Sequence, residues 1–285
     1  MSASPAPLSA VRVVLPWRVA LLVLAAFLWL DTFHLDLFRQ AAGDWQGWPR
    51  LGALAVLGYG AQLLVPLGLA ALLAGPRRAF AALGLDRSPL PALALALACT
   101  AVLPLGFMAI AEFAPPERPL LAAMRAALVP GIGEEVLYRA FLFGFLFRFA
   151  GWGFLPAALA GAAFFGAAHF SQGHGLGEAA AIFALTAFGA LWFAWLYVEW
   201  GYDLWVPVAF HVLMNLYWEL FAVADNALGP LAATLLRLGV VVLSVAVTVA
   251  VARRRGGLAI RGRAWFWRGA DRPIRAGRSA VHPPS

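Results

Sequence analysis

Residues 230–252 read PLAATLLRLGVVVLSVAVTVAVA, a run of 23 residues in which Arg237 carries the only charge. A helix needs about 20 mainly apolar residues to cross the hydrocarbon core of a bilayer. The stretch therefore predicts a membrane-spanning helix. Other stretches of similar length and low polarity predict further spans.

The overall composition agrees with this prediction. Of the 285 residues, 63% are hydrophobic and 12% are charged, and the mean hydropathy is +0.81. Soluble domains are about 45–50% apolar and about 25% charged, and a globule of this size could not bury the excess apolar surface. The composition excludes a soluble enzyme and a disordered chain. The single cysteine, Cys99, excludes an intramolecular disulfide and a cysteine-rich metal site.

Apolar stretches of spanning length recur along the chain and are separated by turn-forming glycines and prolines. We identify eight, at roughly 13–33, 51–74, 90–112, 128–149, 154–170, 179–199, 204–223 and 230–252. They predict an all-α, polytopic membrane helix bundle of about eight transmembrane helices. We expect residues 1–119 to form an N-terminal scaffold of about three helices and residues 120–252 a core of about five. Residues 253–285 form an arginine-rich tail that we predict to be disordered.

The arginines indicate the orientation in the membrane. All 21 basic residues are arginine, which is typical of a GC-rich bacterial genome, and residues 253–285 hold nine of them against Asp271 alone. With both termini in the cytoplasm, 15 arginines lie inside and four lie outside, namely Arg39, Arg50, Arg118 and Arg125. The positive-inside rule favours this topology. We predict a multi-pass protein of the bacterial cytoplasmic membrane with both termini cytoplasmic. The tail suits anionic lipid better than nucleic acid, and the sequence does not set the oligomeric state.

Ionisable residues inside predicted spans are candidates for function because burying them in a membrane is costly. In the fourth stretch Glu134 and Glu135 are adjacent, and Arg139 follows Glu135 by four residues, on the same helix face. Arg139 lies about 140° around the helix from Glu134. We predict that Arg139 pairs with a structural Glu135, which leaves Glu134 free for acid–base chemistry. The alternative is a buried Glu–Arg pair that only orders the helices.

Two later stretches each carry a pair of residues with the same four-residue spacing. Phe165 precedes His169, and His211 precedes Asn215, so each pair shares a helix face. One glutamate and two histidines on three helices, with an asparagine beside one histidine, can activate water and stabilise an oxyanion. The same glutamate and histidines could instead bind a metal. The H-E-x-x-H, G-x-S-x-G and G-x-x-x-x-G-K-[ST] motifs do not occur.

Together the three motifs resemble the signature of the CPBP family, the type II CAAX prenyl endopeptidases and bacteriocin-processing enzymes, also called the Abi family. The resemblance covers roughly residues 120–222. It implies an eight-helix intramembrane protease whose catalytic groups lie in a cavity open to one membrane face. It also implies that Glu134 and His169 activate the water and that His211 and Asn215 stabilise the oxyanion. We expect support for these groups from Glu135, Arg139 and Phe165.

These observations predict an intramembrane endopeptidase that cleaves a membrane-associated or exported protein or peptide by attack of activated water. One alternative is a non-catalytic bacteriocin-immunity or membrane scaffold protein, but such a protein should have lost a catalytic position, and none is lost. A second is a proton-coupled transporter, but the chain lacks the matching pair of broken helices that transporters often contain.

No cofactor is favoured by the sequence. Members of the family are often described as metalloproteases, although a metal-free glutamate mechanism has been argued for the family. The alternative cofactor is zinc, bound by Glu134, His169 and His211. Asn215 suits an oxyanion donor better than a zinc ligand, because zinc prefers thiolate, imidazole and carboxylate groups.

Overall fold

The computed structural model describes residues 16–34, 40 and 43–268. This part of the chain contains no β-strand and eight long helices. They are α1 (Pro16–His34), α2 (Gly47–Ala74), α3 (Pro89–Ile110), α4 (residues 119–148), α5 (Phe154–Gln172), α6 (Leu176–Glu199), α7 (Trp205–Leu220) and α8 (Leu231–Arg254). The predicted all-α membrane helix bundle is confirmed.

Six of the helices in the described part of the chain, α1, α2, α3, α5, α6 and α8, are long and apolar enough to cross a membrane. The other two differ from them in charge or length. Helix α4 carries Glu134, Glu135 and Arg139 near its middle, and α7 has only 16 residues. The chain is a multi-pass membrane protein, and the total of eight spans stays a prediction.

Helix α4 is longer than its apolar stretch suggests. The sequence predicts a span over 128–149, whereas the helix begins at Pro119. Proline is tolerated in a first helical turn because its missing N–H would have no intrahelical partner there. A second proline, Pro130, lies two residues after the end of a π-helical turn over Met124–Leu128, so the helix continues through a residue that usually ends one.

The same helix lies at the centre of the bundle. Every residue from 135 to 147 is buried, and α1, α2, α5, α6 and α7 all pack against α4. Helices α5 and α6 form a closely packed pair, and α3 packs between α7 and α8. A helix segment surrounded in this way faces protein on all sides, so Glu135 and Arg139 are shielded from lipid. The three N-terminal helices pack directly on the predicted core.

The first part of the basic tail folds back onto the bundle. The backbone amides of Ala259 and Ile260 donate to the Glu199 carboxylate at 2.7 and 3.1 Å. Ile260 is buried, and Trp267 forms an isolated antiparallel bridge with Trp152. This differs from the expected disorder, because this part of the tail carries apolar side chains and amide donors that cover the end of α6 and the connection between α4 and α5. Residues 269–285 lie outside the described residues.

Candidate active site

Two π-helical segments interrupt α4, at Met124–Leu128 and at Glu135–Phe143. Such wide turns are rare and often occur at functional sites. The second segment begins at Glu135, so the paired carboxylates of Glu134 and Glu135 lie where the helix changes its geometry. The backbone irregularity and the paired charges therefore coincide.

Glu135 is completely buried and has two partners through a single oxygen. Its Oε1 lies 3.1 Å from Nη1 of Arg139, as the sequence predicted, and accepts a hydrogen bond from Nδ1 of His211 at 2.7 Å. A buried carboxylate requires such partners, because the cost of removing it from water is otherwise not offset. Glu135 thus joins α4 to α7, and the second of these contacts was not predicted.

The Arg139 side chain is 2% exposed and lies among aromatic rings. Its guanidinium carbon is 4.4 Å from the ring centroid of Phe165 and 5.3 Å from that of Phe193. An arginine over an aromatic face gains cation–π stabilisation when water is excluded. Phe165 was predicted to support the site. Its ring covers the Arg139 charge that neutralises Glu135.

His211 lies between the two carboxylates of α4. Its Nδ1 is held by Glu135, and its Nε2 is 3.8 Å from Oε2 of Glu134, too far for a direct hydrogen bond. The Glu134 side chain is 25% exposed, whereas that of His211 is 9% exposed. The buried carboxylate thus orients the imidazole, and the more accessible carboxylate faces the nitrogen that remains.

His169, at the end of α5, is oriented by its own helix. Its Nδ1 donates to the backbone oxygen of Phe165 at 2.8 Å, and the two rings lie 4.6 Å apart. Since a carbonyl oxygen can only accept, the proton is on Nδ1, and the neutral ring has its lone pair on Nε2. The Phe165 ring, 6.5 Å from that of His211, lies against both histidines.

Asn215 binds a backbone group that proline has left unpaired. In an α-helix the N–H of residue 130 would bond to the oxygen of residue 126, but Pro130 has no N–H. The Nδ2 group of Asn215 donates to the oxygen of Ala126 at 3.1 Å instead. This contact fixes α7 against α4 one turn from His211, and the second N–H of the amide is not used by it.

The structure therefore brings the predicted catalytic residues together to different degrees. Glu134 and His211 face each other directly at 3.8 Å. His169 is linked to this pair through the Phe165 ring, and Asn215 is anchored to α4 beside it. The contacts around the site also include Glu135, which the sequence had assigned only to Arg139.

Two further residues reach α4 from the N-terminal helices. Tyr59 of α2 packs so closely on Gly133 that a Cβ there would lie 1.9 Å from its Cδ1 atom. The hydroxyl of Tyr138 donates to Asp31 of α1 at 2.6 Å. Asp31 could have been found from the sequence as an acidic residue at the end of an apolar stretch, whereas nothing in the sequence indicates Tyr59.

Among the described residues, no group of three or more His, Cys, Asp and Glu side chains is arranged to hold a metal ion. The zinc alternative of Glu134, His169 and His211 stays a prediction. Glu135 holds Nδ1 of His211, and a backbone oxygen holds Nδ1 of His169, so each imidazole keeps its Nε2 for a further partner.

Comparison with known proteins supports a family assignment for this region. Residues 116–217 match the family model described as type II CAAX prenyl endopeptidase Rce1-like. The matched segment contains Glu134, His169, His211 and Asn215 and lies close to the region that the three motifs delimit. No curated protein and no solved structure matches the chain.

Proposed function

From the premise that residues 116–217 belong to the CPBP/CAAX protease family, we propose that the chain is an intramembrane endopeptidase. It would cleave a membrane-associated or exported protein or peptide by attack of activated water. The observation that carries the proposal is the pair of Glu134 and His211, held 3.8 Å apart on two helices by a buried Glu135.

Glu134 acts as the general base in this proposal. It accepts a proton from a water molecule as the water oxygen attacks the carbonyl carbon of the scissile amide. At 3.8 Å, Glu134 and Nε2 of His211 are close enough for one water molecule to contact both. When the tetrahedral intermediate collapses, the C–N bond breaks, and the proton held by Glu134 passes to the leaving amine.

The other polar groups orient the water and stabilise the oxyanion. His169 presents Nε2, because the oxygen of Phe165 holds its Nδ1 proton. Asn215 uses one N–H to anchor itself to Ala126 and has a second for the oxyanion. His211 donates from Nε2 when both of its nitrogens carry protons, with Glu135 holding the ring in place.

The membrane setting limits the class of substrate. A site built on α4, α5 and α7 of a multi-pass bundle would meet segments that lie in or beside the bilayer. With both termini in the cytoplasm, as the arginines predict, the N-terminal end of α4 faces outward. We therefore propose a substrate that is anchored in the membrane or exported across it.

The test is to compare cells that carry wild-type protein with cells that carry Glu134→Gln. Membrane proteins and released peptides are quantified by mass spectrometry. We expect uncleaved precursors to accumulate with Glu134→Gln and with His211→Ala. The matched control is Glu112→Gln, because Glu112 is an exposed glutamate beyond the end of α3, and it should give the wild-type pattern.

A direct assay completes the test. The purified wild-type protein should cleave an accumulating precursor in detergent, and folded Glu134→Gln should not. If wild type and Glu134→Gln give the same precursors in cells and the same products in detergent, the chain is not a glutamate-dependent endopeptidase.

A further inference from the structure

A cavity of about 600 Å³ opens at one end of the bundle, apart from the Glu134–His211 pair. It lies where α2 and α4 begin and where α7 ends. Its charged lining consists of Arg50, Arg118, Arg125, Glu117 and Glu219. The volume is within the range of small-molecule and peptide side-chain pockets, about 300–1,000 Å³.

The arginines of this cavity outnumber its carboxylates by three to two. No carboxylate of the described residues lies within 4 Å of any of the three, although Glu117 and Glu219 line the same cavity. Arg50 donates to the backbone oxygens of Gly43 and Trp45. Within the described part of the chain, Arg118 and Arg125 have no hydrogen-bonding partner, so their guanidinium groups are available to an anion.

The position of these arginines in the sequence is unusual as well. Under the predicted topology only four arginines lie on the outer side of the membrane, and three of the four line this one cavity. Positive charge is depleted from outer segments, so its concentration at a single concave place calls for a local reason. An anion-binding role supplies one.

The cavity is connected to the candidate active site by α7. Glu219 lies eight residues after His211 on that helix, a distance of about 12 Å at 1.5 Å per residue. Asn215 lies between them and is bonded to Ala126, the neighbour of Arg125. An extended peptide covers about 12 Å with roughly four residues.

We propose that this cavity is a carboxylate-binding subsite for the substrate. It would hold an acidic side chain or a chain-terminal carboxylate about four residues from the scissile bond, through Arg118 and Arg125. The proposal rests on the proposed endopeptidase function and extends it from the reacting groups to a determinant of specificity.

The test measures binding and not cleavage, so it does not depend on catalysis. Full-length Glu134→Gln protein in neutral detergent is titrated against fluorescein-labelled, amidated decapeptides of alanine and leucine with one central glutamate or glutamine. A glutamine peptide with a free C-terminus reports on a terminal carboxylate. We expect the carboxylate peptides to bind roughly tenfold more tightly than the neutral one.

The arginines are tested by a matched pair of double variants in the same background. Arg118→Gln with Arg125→Gln should remove the preference for carboxylate peptides. Arg77→Gln with Arg78→Gln changes the net charge equally at the opposite end of α2 and should keep the preference. Thermal unfolding of both variants shows that the bundle is intact.

Three outcomes would overturn the subsite. The carboxylate and neutral peptides could bind equally, neither could bind, or the two double variants could lose the preference alike.

A separate measurement adds phosphatidylglycerol or phosphatidylcholine to the micelles. If Arg118 and Arg125 are needed for retention of phosphatidylglycerol but not for peptide preference, the cavity binds lipid, and the proposal is wrong. Failure of the cleavage assay alone would reject the endopeptidase function and leave these binding results interpretable.

Discussion

Replacing Glu135 by glutamine should destabilise the bundle much more than the same replacement at Glu134. Glu135 is fully buried, and its Oε1 lies 3.1 Å from Nη1 of Arg139 and 2.7 Å from Nδ1 of His211. Glutamine keeps the size of the side chain but leaves the arginine charge without a counterion. Removing one partner of a buried pair costs about 3–5 kcal/mol.

The expected cost lies at the lower end of that range. Arg139 keeps its contact with the Phe165 ring at 4.4 Å, and a desolvated cation–π contact contributes about 2 kcal/mol or more. The Glu134 side chain is 25% exposed, and Nε2 of His211 is 3.8 Å away, so its replacement should cost about 1 kcal/mol or less. The difference between the two variants should therefore be about 2 kcal/mol or more.

The measurement is unfolding of the purified protein in mixed micelles with increasing denaturing detergent, followed by the fluorescence of its 12 tryptophans. A double variant, Glu135→Gln with Arg139→Gln, provides the internal control. Because it removes both charges, it should recover much of the stability lost in Glu135→Gln, and the coupling energy should be favourable to the native pair. Equal stability of the two single variants, or a double variant as unstable as the sum of its parts, would refute the reasoning.

Three other predictions concern helix packing, metal dependence and topology. Gly133→Ala should lower both stability and cleavage, because its Cβ would lie 1.9 Å from Cδ1 of Tyr59; an unchanged unfolding midpoint in detergent would contradict this packing. Cleavage of an identified precursor should survive prolonged chelation, and activity that is lost with a stoichiometric metal and regained only with added metal would show that the metal-free prediction is wrong. A reporter fused behind Ser285 should be active only on the cytoplasmic side, and activity on the outer side would reverse the topology.

Much of this architecture is predictable from the sequence because span length and helical spacing are local properties. The Glu135–Arg139 pair follows from four-residue spacing on one helix, and it is present at 3.1 Å. The apolar pattern places the start of α4 too late, because prolines and the charged Arg125 interrupt it. The π-helical turn before Pro130 lets the helix continue through this proline, which a regular helix would not accommodate.

The contacts that complete the site are non-local and were missed for that reason. Nothing in the sequence says that α7 faces the Glu135 side of α4, so the bond from His211 to Glu135 could not be derived. For the hydrogen bond from Asn215 to Ala126, the sequence indicates the acceptor, because Pro130 leaves the oxygen of Ala126 without its helical partner. Its partner still depends on how the helices pack.

The fold-back of the tail has a consequence for the order of assembly. Chains are synthesised from the N-terminus, so residues 259–267 leave the ribosome after every helix of the bundle. Until then Glu199 lacks its amide donors, and Trp152 lacks its bridge to Trp267. These contacts of the tail therefore form only after all the helices have been translated. A nascent chain that ended at Arg254 would contain the eight long helices, and the end of α6 and the α4–α5 connection would still be uncovered.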